Sequence, residues 1–477
     1  MGVLSGIDSA VHWILNLGPS VMLPIILTIF GVILGQKFAK SFRAGLTIGV
    51  GFVGINLLIG LFFGSLGPAA QAMAQATGAH LEIVDVGWPI GAAIAFGTPL
   101  APVMIPIILV FNFLLIVIGL TKTMDVDIWN YWHLIFAASI AYYAFNSVTI
   151  AILVGLVHAF IVFKLADWTA PTLEHHFGLK GISLPHAETV NFAPVMYFLD
   201  KIWSKIPGLS KVNADAEAIQ KRFGLLGEPL VMGLVLGIVI GALGGQGVAK
   251  TVTLGVQMAA VLVLLPRMVS ILMEGLIPLS EGAREFLAKR FPGKDLFIGL
   301  DAAIVIGHPS GMAVALVMVP ITLVLAIILP YNRMMPFADF AVLPFTMVWA
   351  VAASRGNIVR GIINGVFTML IVFFIATELA PLMTTMGKAV GFNFPAGATE
   401  ISGIDVGSHL LLWMIIKIID FKNNAGWAVV GLVVAVLYGL IWYWVRNDIR
   451  TQYKEQIAEA EAEAAAAAQA QAQAANQ

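Results

Sequence analysis

Apolar runs separated by charged or turn-rich breaks fill this chain almost from end to end. About 20 consecutive apolar residues cross a bilayer as a helix. The pattern predicts eleven such spans, near 18–35, 45–63, 100–120, 132–146, 148–165, 227–243, 251–272, 311–330, 339–353, 358–380 and 425–445. The fourth and ninth are short. Two further apolar stretches, 86–99 and 298–310, are too short to span and are punctuated by Gly and Pro. Irregular backbone at membrane depth survives only where protein or a water-filled cavity covers it, so both are expected as re-entrant hairpins lining a site. The segment 401–420 reads as an interfacial helix, because Lys417, Asp420 and Lys422 gather at its end.

Composition sharpens the class. Of 477 residues, 59% are hydrophobic and 11% charged, against about 25% charged in soluble domains, and the mean hydropathy is +0.93. A water-soluble enzyme is excluded. With 26 basic against 27 acidic residues there is no basic face for nucleic acid. The absence of cysteine excludes disulfides, thiolate nucleophiles and zinc-thiolate sites within this polypeptide. The opening MGVLSGIDSAVHW lacks the basic residues of a cleavable signal peptide.

Lys and Arg near span ends set orientation. Lys37, Lys40 and Arg43 follow the first span, and a run from Lys164 to Arg222 fills the break after the fifth. Arg267 to Lys294 follow the seventh, Arg355 and Arg360 the ninth, and Arg446, Arg450 and Lys454 the last. All lie on one side if the N-terminus is outside and the C-terminus cytoplasmic; Arg333 is the exception.

The two halves of the chain resemble each other. Pro19, Val21, Met22, Gly31 and Gly35 reappear 210 positions later as Pro229, Val231, Met232, Gly241 and Gly245. The same offset relates Gly97-Thr98-Pro99 to Gly307-His308-Pro309, and Gly155, Ile161, Val162 and Phe163 to Gly365, Ile371, Val372 and Phe373. VMIPI (103–107) matches VMVPI (317–321) at an offset of 214. Spans 1–5 would then repeat as 6–10, and because five is odd the second copy lies upside down, the inverted repeat of secondary transporters. The predicted fold is therefore an all-α polytopic membrane protein with two re-entrant hairpins and inverted five-helix repeats.

Ionisable groups within the membrane are costly and mark function by default. Asp85, Asp301 and His308 lie in or beside the hairpins, and His133 opens the fourth span. Carboxylates accept from hydroxyls, and a neutral imidazole donates or accepts. Thr98 adds a hydroxyl at the first tip, and Trp88 offers a flat apolar face for the carbon side of a sugar or polyol. The competing readings are that Asp85 and Asp301 cap hairpin helices or meet backbone amides, that His133 packs beside Trp132, and that His158 is a satisfied interior group. GISLPHAETV (181–190) carries His186 in a polar loop, where most histidines are merely solvated. SKVNADAEAIQKRF (210–223) reads as an amphipathic surface helix, and Glu228 as a cap. No Walker-type loop, paired metal-ligand motif, arginine ladder or carbonyl-filter repeat occurs, and no cofactor is expected.

Taken together, GPSVMLPIILTIFGVILG (18–35), AGLTIGVGFVGI (44–55), VDVGWP (84–89), VDIWNYWH (126–133), GISLPHAE (181–188), FGLLGEP (223–229) and FIGLDAAIVIGH (297–308) closely resemble the galactitol-type membrane component, enzyme IIC, of the bacterial phosphotransferase system. The likeness covers about residues 15–445. It implies the ascorbate–galactitol superfamily: a homodimer in the cytoplasmic (inner) membrane whose core domain moves like an elevator against a fixed scaffold. By that resemblance 1–83 and 227–272 are scaffold, 84–165 and 273–400 the two parts of the core, 166–226 a cytoplasmic loop, and 401–454 the interfacial helix and last span; 455–477, outside the likeness, reads from its Ala/Gln-rich composition as a cytoplasmic tail. It further implies that Asp301, His133, His186 and Thr98 hold substrate, to which symmetry adds His308 and Trp88 and the first hairpin adds Asp85.

The resemblance also implies a separate enzyme IIB, carrying a phosphocysteine fed by enzyme IIA, that phosphorylates the presented sugar from the cytoplasm. The cysteine-free chain fits a donor on another polypeptide. The hairpin GWPIGAAIAFGTP is poorer in hydroxyls and amides than the galactitol branch suggests. A pentitol, hexitol or sugar thus stays open as the substrate. The alternative is an ion-coupled carrier of the same architecture for an organic acid or nucleobase.

Overall fold

The computed structural model describes residues 19–33, 35–77, 82–127, 130–209, 229–290, 296–336, 339–391 and 399–475. Its helices, in chain order, are α1 (Pro19–Ile33), α2 (Phe38–Thr77), α3 (Trp88–Gly97), α4 (Ala101–Val117), α5 (Tyr131–Phe145), α6 (Val148–His176), α7 (Ala187–Val190), α8 (Ala193–Trp203), α9 (Pro229–Leu243), α10 (Val248–Arg290), α11 (Pro309–Ile328), α12 (Leu343–Thr346), α13 (Val348–Ala353), α14 (Ile358–Ala389), α15 (Ile404–Gly407), α16 (Leu410–Ile419) and α17 (Ala425–Ala475). Among the described residues α6, α11, α14 and the Ala425–Ile449 part of α17 are long and apolar enough to cross a bilayer. Leu57, Phe113, Ile118 and Leu440 stand exposed on the outside, as a hydrocarbon solvent favours.

Local chemistry sets the ends of these helices. Proline occupies the first or second position of α3, α4, α8 and α11, where no intrahelical N–H is needed. Asn146 closes α5 in the left-handed conformation, which Asn tolerates. The Ser147 side chain then accepts from Ile150 N to start α6, and Asn357 accepts from Arg360 N to start α14 in the same way. The runs expected at 45–63 and 251–272 continue as helix to Thr77 and Arg290, since Ala- and Gln-rich or charged sequence keeps helix propensity after hydropathy falls. The ninth run breaks into a 3₁₀ turn, Phe340–Val342, followed by α12 and α13.

Helices α1, α2, α9 and α10 pack on one another. Their closest approach is through small residues, as between membrane helices generally. A Cβ added at Gly237 would lie 2.6 Å from the Gly255 Cα and 2.7 Å from the Leu254 carbonyl oxygen. Gly237→Leu is therefore expected to push α9 off α10 and cost about 1–3 kcal/mol, read as a lower unfolding temperature in detergent; an unchanged melting curve would refute the contact.

Among the described residues, six short strands, outside any pattern read from hydropathy, tie the remaining elements together: β1 (Ile83–Asp85), β2 (Thr123–Asp125), β3 (Ile182–Ser183), β4 (Phe297–Gly299), β5 (Met334–Met335) and β6 (Glu400–Ser402). They form two three-stranded parallel sheets, ordered β5-β1-β6 and β2-β4-β3. Each sheet thus takes its central strand from one stretch of the chain and both flanking strands from the other.

Residues 401–420 do not form one helix lying along an interface. They run inward as the end of β6, then α15 and the start of α16, with Ile401 through Met414 buried. Only the far end of α16 reaches the surface, where Lys417 pairs with Glu378 at 2.7 Å. The segment 210–223 and Glu228 lie outside the described residues.

Candidate functional site

The β2-β4-β3 sheet builds the site. Its register sets Ser183 and Asp125 on either side of Gly299, so the chain leaves β3 and β4 at the same end, and Pro185-His186 emerges beside Leu300-Asp301. Gly299 allows this approach: a Cβ there would meet the Asp125 Cα and the Pro185 ring, both at 2.8 Å. Asp127 fixes the Asp301 backbone by accepting its N–H at 3.1 Å. The Asp301 carboxylate serves two ends. Oδ1 accepts from Ala303 N at 2.7 Å, capping the turn Ala302–Ile304, and Oδ2 lies 3.5 Å from His186 Nε2. Asp301 thus caps this turn, and its second oxygen faces His186.

From the opposite side α5 contributes His133, fully buried, with the Trp132 ring 3.9 Å away. His133 Nε2 lies 3.1 Å from His186 Nε2, and its Nδ1 lies 3.2 Å from His409 Nε2. His409, in the turn between α15 and α16, donates from Nδ1 to the Asp405 carbonyl at 2.8 Å. Three imidazoles thus form one hydrogen-bonded row ending at Asp301. Phe345 stacks on His186 and Phe136 packs on His409. Burial pushes the His186 imidazole down to about 3, so it is neutral at physiological pH. Glu188, two residues after His186, meets the Thr346 hydroxyl at 3.3 Å. The ligand atoms of His133, His186 and Glu188 lie within 4.8 Å of one another, a spacing a small divalent cation could bridge.

Carboxylates also pin the other sheet. Asp339 accepts from Trp88 N at 2.6 Å and from Asp405 N at 2.9 Å, while Asp85 accepts from Gly87 N and Asp339 N at 3.0 and 2.8 Å. Asp85 therefore meets backbone amides, as one of its alternative readings had it, and is linked toward the imidazole row through Asp339 and Asp405. Trp88 is half-buried beside the same carboxylates. Thr98 hydrogen-bonds Ala95 O and the Ser139 hydroxyl, on α5 beyond His133. His308 stands apart, its ring 4.7 Å from His176 and 5.3 Å from Phe177 at the end of α6. Of the residues singled out from sequence, the structure brings His133, His186 and Asp301 together, links Asp85 and Trp88 to them through Asp339 and Asp405, and leaves Thr98 and His308 outside the row. His158 is buried with neither ring nitrogen hydrogen-bonded among the described residues, which the reading as a satisfied interior group did not anticipate.

The row combines acceptors (Asp301, Glu188) with imidazoles that donate on one side and accept on the other. That chemistry suits a ligand offering several hydroxyls. By contrast, a cavity of about 470 Å³ between α8, α14, α16 and α17, lined by Phe374, Trp413, Leu437 and Tyr438 among others, is almost wholly apolar and suits a polyol poorly.

The model of the family described as "EIIC-GAT: PTS system sugar-specific permease component" matches residues 13–397. The chain belongs to this family. As an EIIC-GAT permease component it is similar to the PTS system galactitol-specific EIIC component of Escherichia coli strain K12, 38% identical over 452 residues covering 95% of this chain and 100% of the relative. It matches the protein of the same description from Escherichia coli O157:H7 to the same extent. It is a multi-pass membrane protein.

In this permease the sequence reading missed His409, Glu188, Asp339 and Asp405. Glu188 stood within the quoted GISLPHAE motif, where its spacing from His186 was the available signal. His409 and Asp405 were hidden because their segment was read as lying along the membrane surface.

Proposed function

We propose that this EIIC-GAT component translocates a galactitol-like polyol, held by His133, His186 and Asp301, and presents it to a separate cytoplasmic enzyme IIB whose phosphocysteine phosphorylates it. The observation that carries the substrate class is the convergence of the imidazole row on the Asp301 carboxylate. Buried groups that need hydrogen-bond partners discriminate strongly against ligands that cannot supply them. The likeness to components described as galactitol-specific supports choosing this polyol from among the hexitols and pentitols. Phosphorylation adds charge to the product and makes entry effectively one-way.

For the route, we infer that the group α1, α2, α9 and α10 is a fixed scaffold carrying a homodimer interface, and that the elements around the two sheets move across the inner membrane as a block. The reciprocal order of the sheets supports reading the chain as two inverted repeats, each continued past spans 1–5 and 6–10 to its third strand: exchanging β1, β2, β3 with β4, β5, β6 turns one sheet into the other. Eleven spans, the segments around α3 and around 300–308 as re-entrant hairpins, the N-terminus outside and the C-terminus in the cytoplasm complete this reading.

The test is uptake of labelled galactitol in cells lacking their own transporters. Accumulation is expected only when IIA and IIB are co-expressed, with the label recovered as a phosphate ester. Uptake that persists without IIB and collapses when the proton or sodium gradient is dissipated would refute the proposal in favour of the ion-coupled carrier.

A further inference from the structure

The row His409–His133–His186 has a direction that its chemistry fixes. A carbonyl oxygen only accepts, so the 2.8 Å contact to Asp405 O requires the proton of His409 to sit on Nδ1. Three buried imidazoles in mutual contact stay neutral, because a charge on one would be desolvated and repelled by any charge on its neighbours. A neutral ring carries one N–H, so His409 Nε2 is a bare acceptor, and the 3.2 Å contact from His133 requires a proton on His133 Nδ1. His133 Nε2 is then bare in turn, and the 3.1 Å contact to His186 requires the His186 proton on Nε2, on the side that also faces Asp301 Oδ2 at 3.5 Å. One nitrogen is left over. His186 Nδ1 carries a lone pair, is buried, and has no hydrogen-bond partner among the described residues.

We propose that His409 is a positioning residue for the transport reaction: anchored on the Asp405 carbonyl, it orders the tautomers of His133 and His186 and so makes His186 Nδ1 the acceptor for one substrate hydroxyl. The last step rests on the polyol reading above; the ordering does not. Without an acceptor at position 409 nothing holds the proton on His133 Nδ1. His133 can then carry it on Nε2 and donate to His186, which moves the His186 proton to Nδ1 and turns the acceptor into a donor. A hydroxyl can meet either, but one presented to a fixed site loses its match when the site's polarity reverses.

The experiment uses full-length protein labelled with ¹⁵N-histidine in detergent micelles. Two-bond ¹H–¹⁵N correlation distinguishes Nδ1–H from Nε2–H rings, and single substitutions among the nine histidines give the assignments. Wild type is expected to show His133 as the Nδ1–H form and His186 as the Nε2–H form. His409→Leu is expected to shift both toward the opposite tautomers and to weaken galactitol binding by about tenfold, one hydrogen bond's worth. His409→Gln, whose carboxamide oxygen can still accept from His133 Nδ1, is expected to keep the wild-type tautomers and serves if the Leu variant fails to fold. His133 as Nε2–H in wild type, or tautomers unmoved in His409→Leu, would overturn the proposal. Reversed tautomers with unchanged galactitol affinity would overturn the acceptor role of His186. The wild-type spectrum decides the ordering without ligand, so absence of galactitol binding to wild type is a separate result, against the polyol reading alone.

Discussion

Replacing Asp301 by Asn is expected to reduce galactitol binding by one to two orders of magnitude while leaving the protein folded. The carboxylate keeps its cap through Oδ1, which accepts from Ala303 N at 2.7 Å, and an amide oxygen can make that bond as well. Oδ2 faces the His186 Nε2–H at 3.5 Å, and there the Asn nitrogen can only donate toward a donor. Hydrogen bonds to charged groups contribute about 1.5–3 kcal/mol net, which is roughly a tenfold to hundredfold change in affinity. Isothermal titration of purified protein with galactitol checks the size, and an unchanged melting temperature separates binding from folding. Equal affinity in the variant would remove Asp301 from the site.

Gly299→Val is expected to act on folding rather than on binding. The added side chain would enter space held by the Asp125 Cα and the Pro185 ring at 2.8 Å and by the Met124 carbonyl at 3.0 Å. Two of these neighbours are backbone of the paired strand, so relief requires β2 to leave β4. Overpacking of this kind costs about 1–3 kcal/mol, and more where backbone must yield. The expected readout is loss of the monodisperse peak on size-exclusion chromatography in detergent, or a melting temperature several degrees lower. A variant as stable as wild type would show that the β2-β4-β3 sheet does not hold the site together.

The two substitutions separate what could be read from the chain and what could not. Long apolar runs declared the helices, because hydrophobic length is a local property, and the runs at 148–165 and 358–380 lie within α6 and α14. Intramembrane rarity singled out His133 and Asp301, and the quoted motif singled out His186. The strands were illegible: two or three residues leave no periodicity, and their pairing joins positions such as Asp125 and Gly299 that lie far apart in sequence. His409 was illegible for a related reason. Its neighbours Leu410, Leu411, Leu412 and Trp413 make a helix that is strongly two-faced, and the sequence does not say whether the apolar face meets lipid or protein. Burial of that face against the rest of the molecule is what turns His409 toward His133.

The reciprocal sheets also bear on how the permease is made. Strands β1, β2 and β3 leave the ribosome long before β4, β5 and β6, yet neither three-stranded sheet can close until residues beyond 296 have been synthesised. Contacts between sequence-distant segments form late. The first half must therefore wait in the bilayer with its strand edges unmatched, and His186 meets Asp301 only once the second half of the chain is emerging.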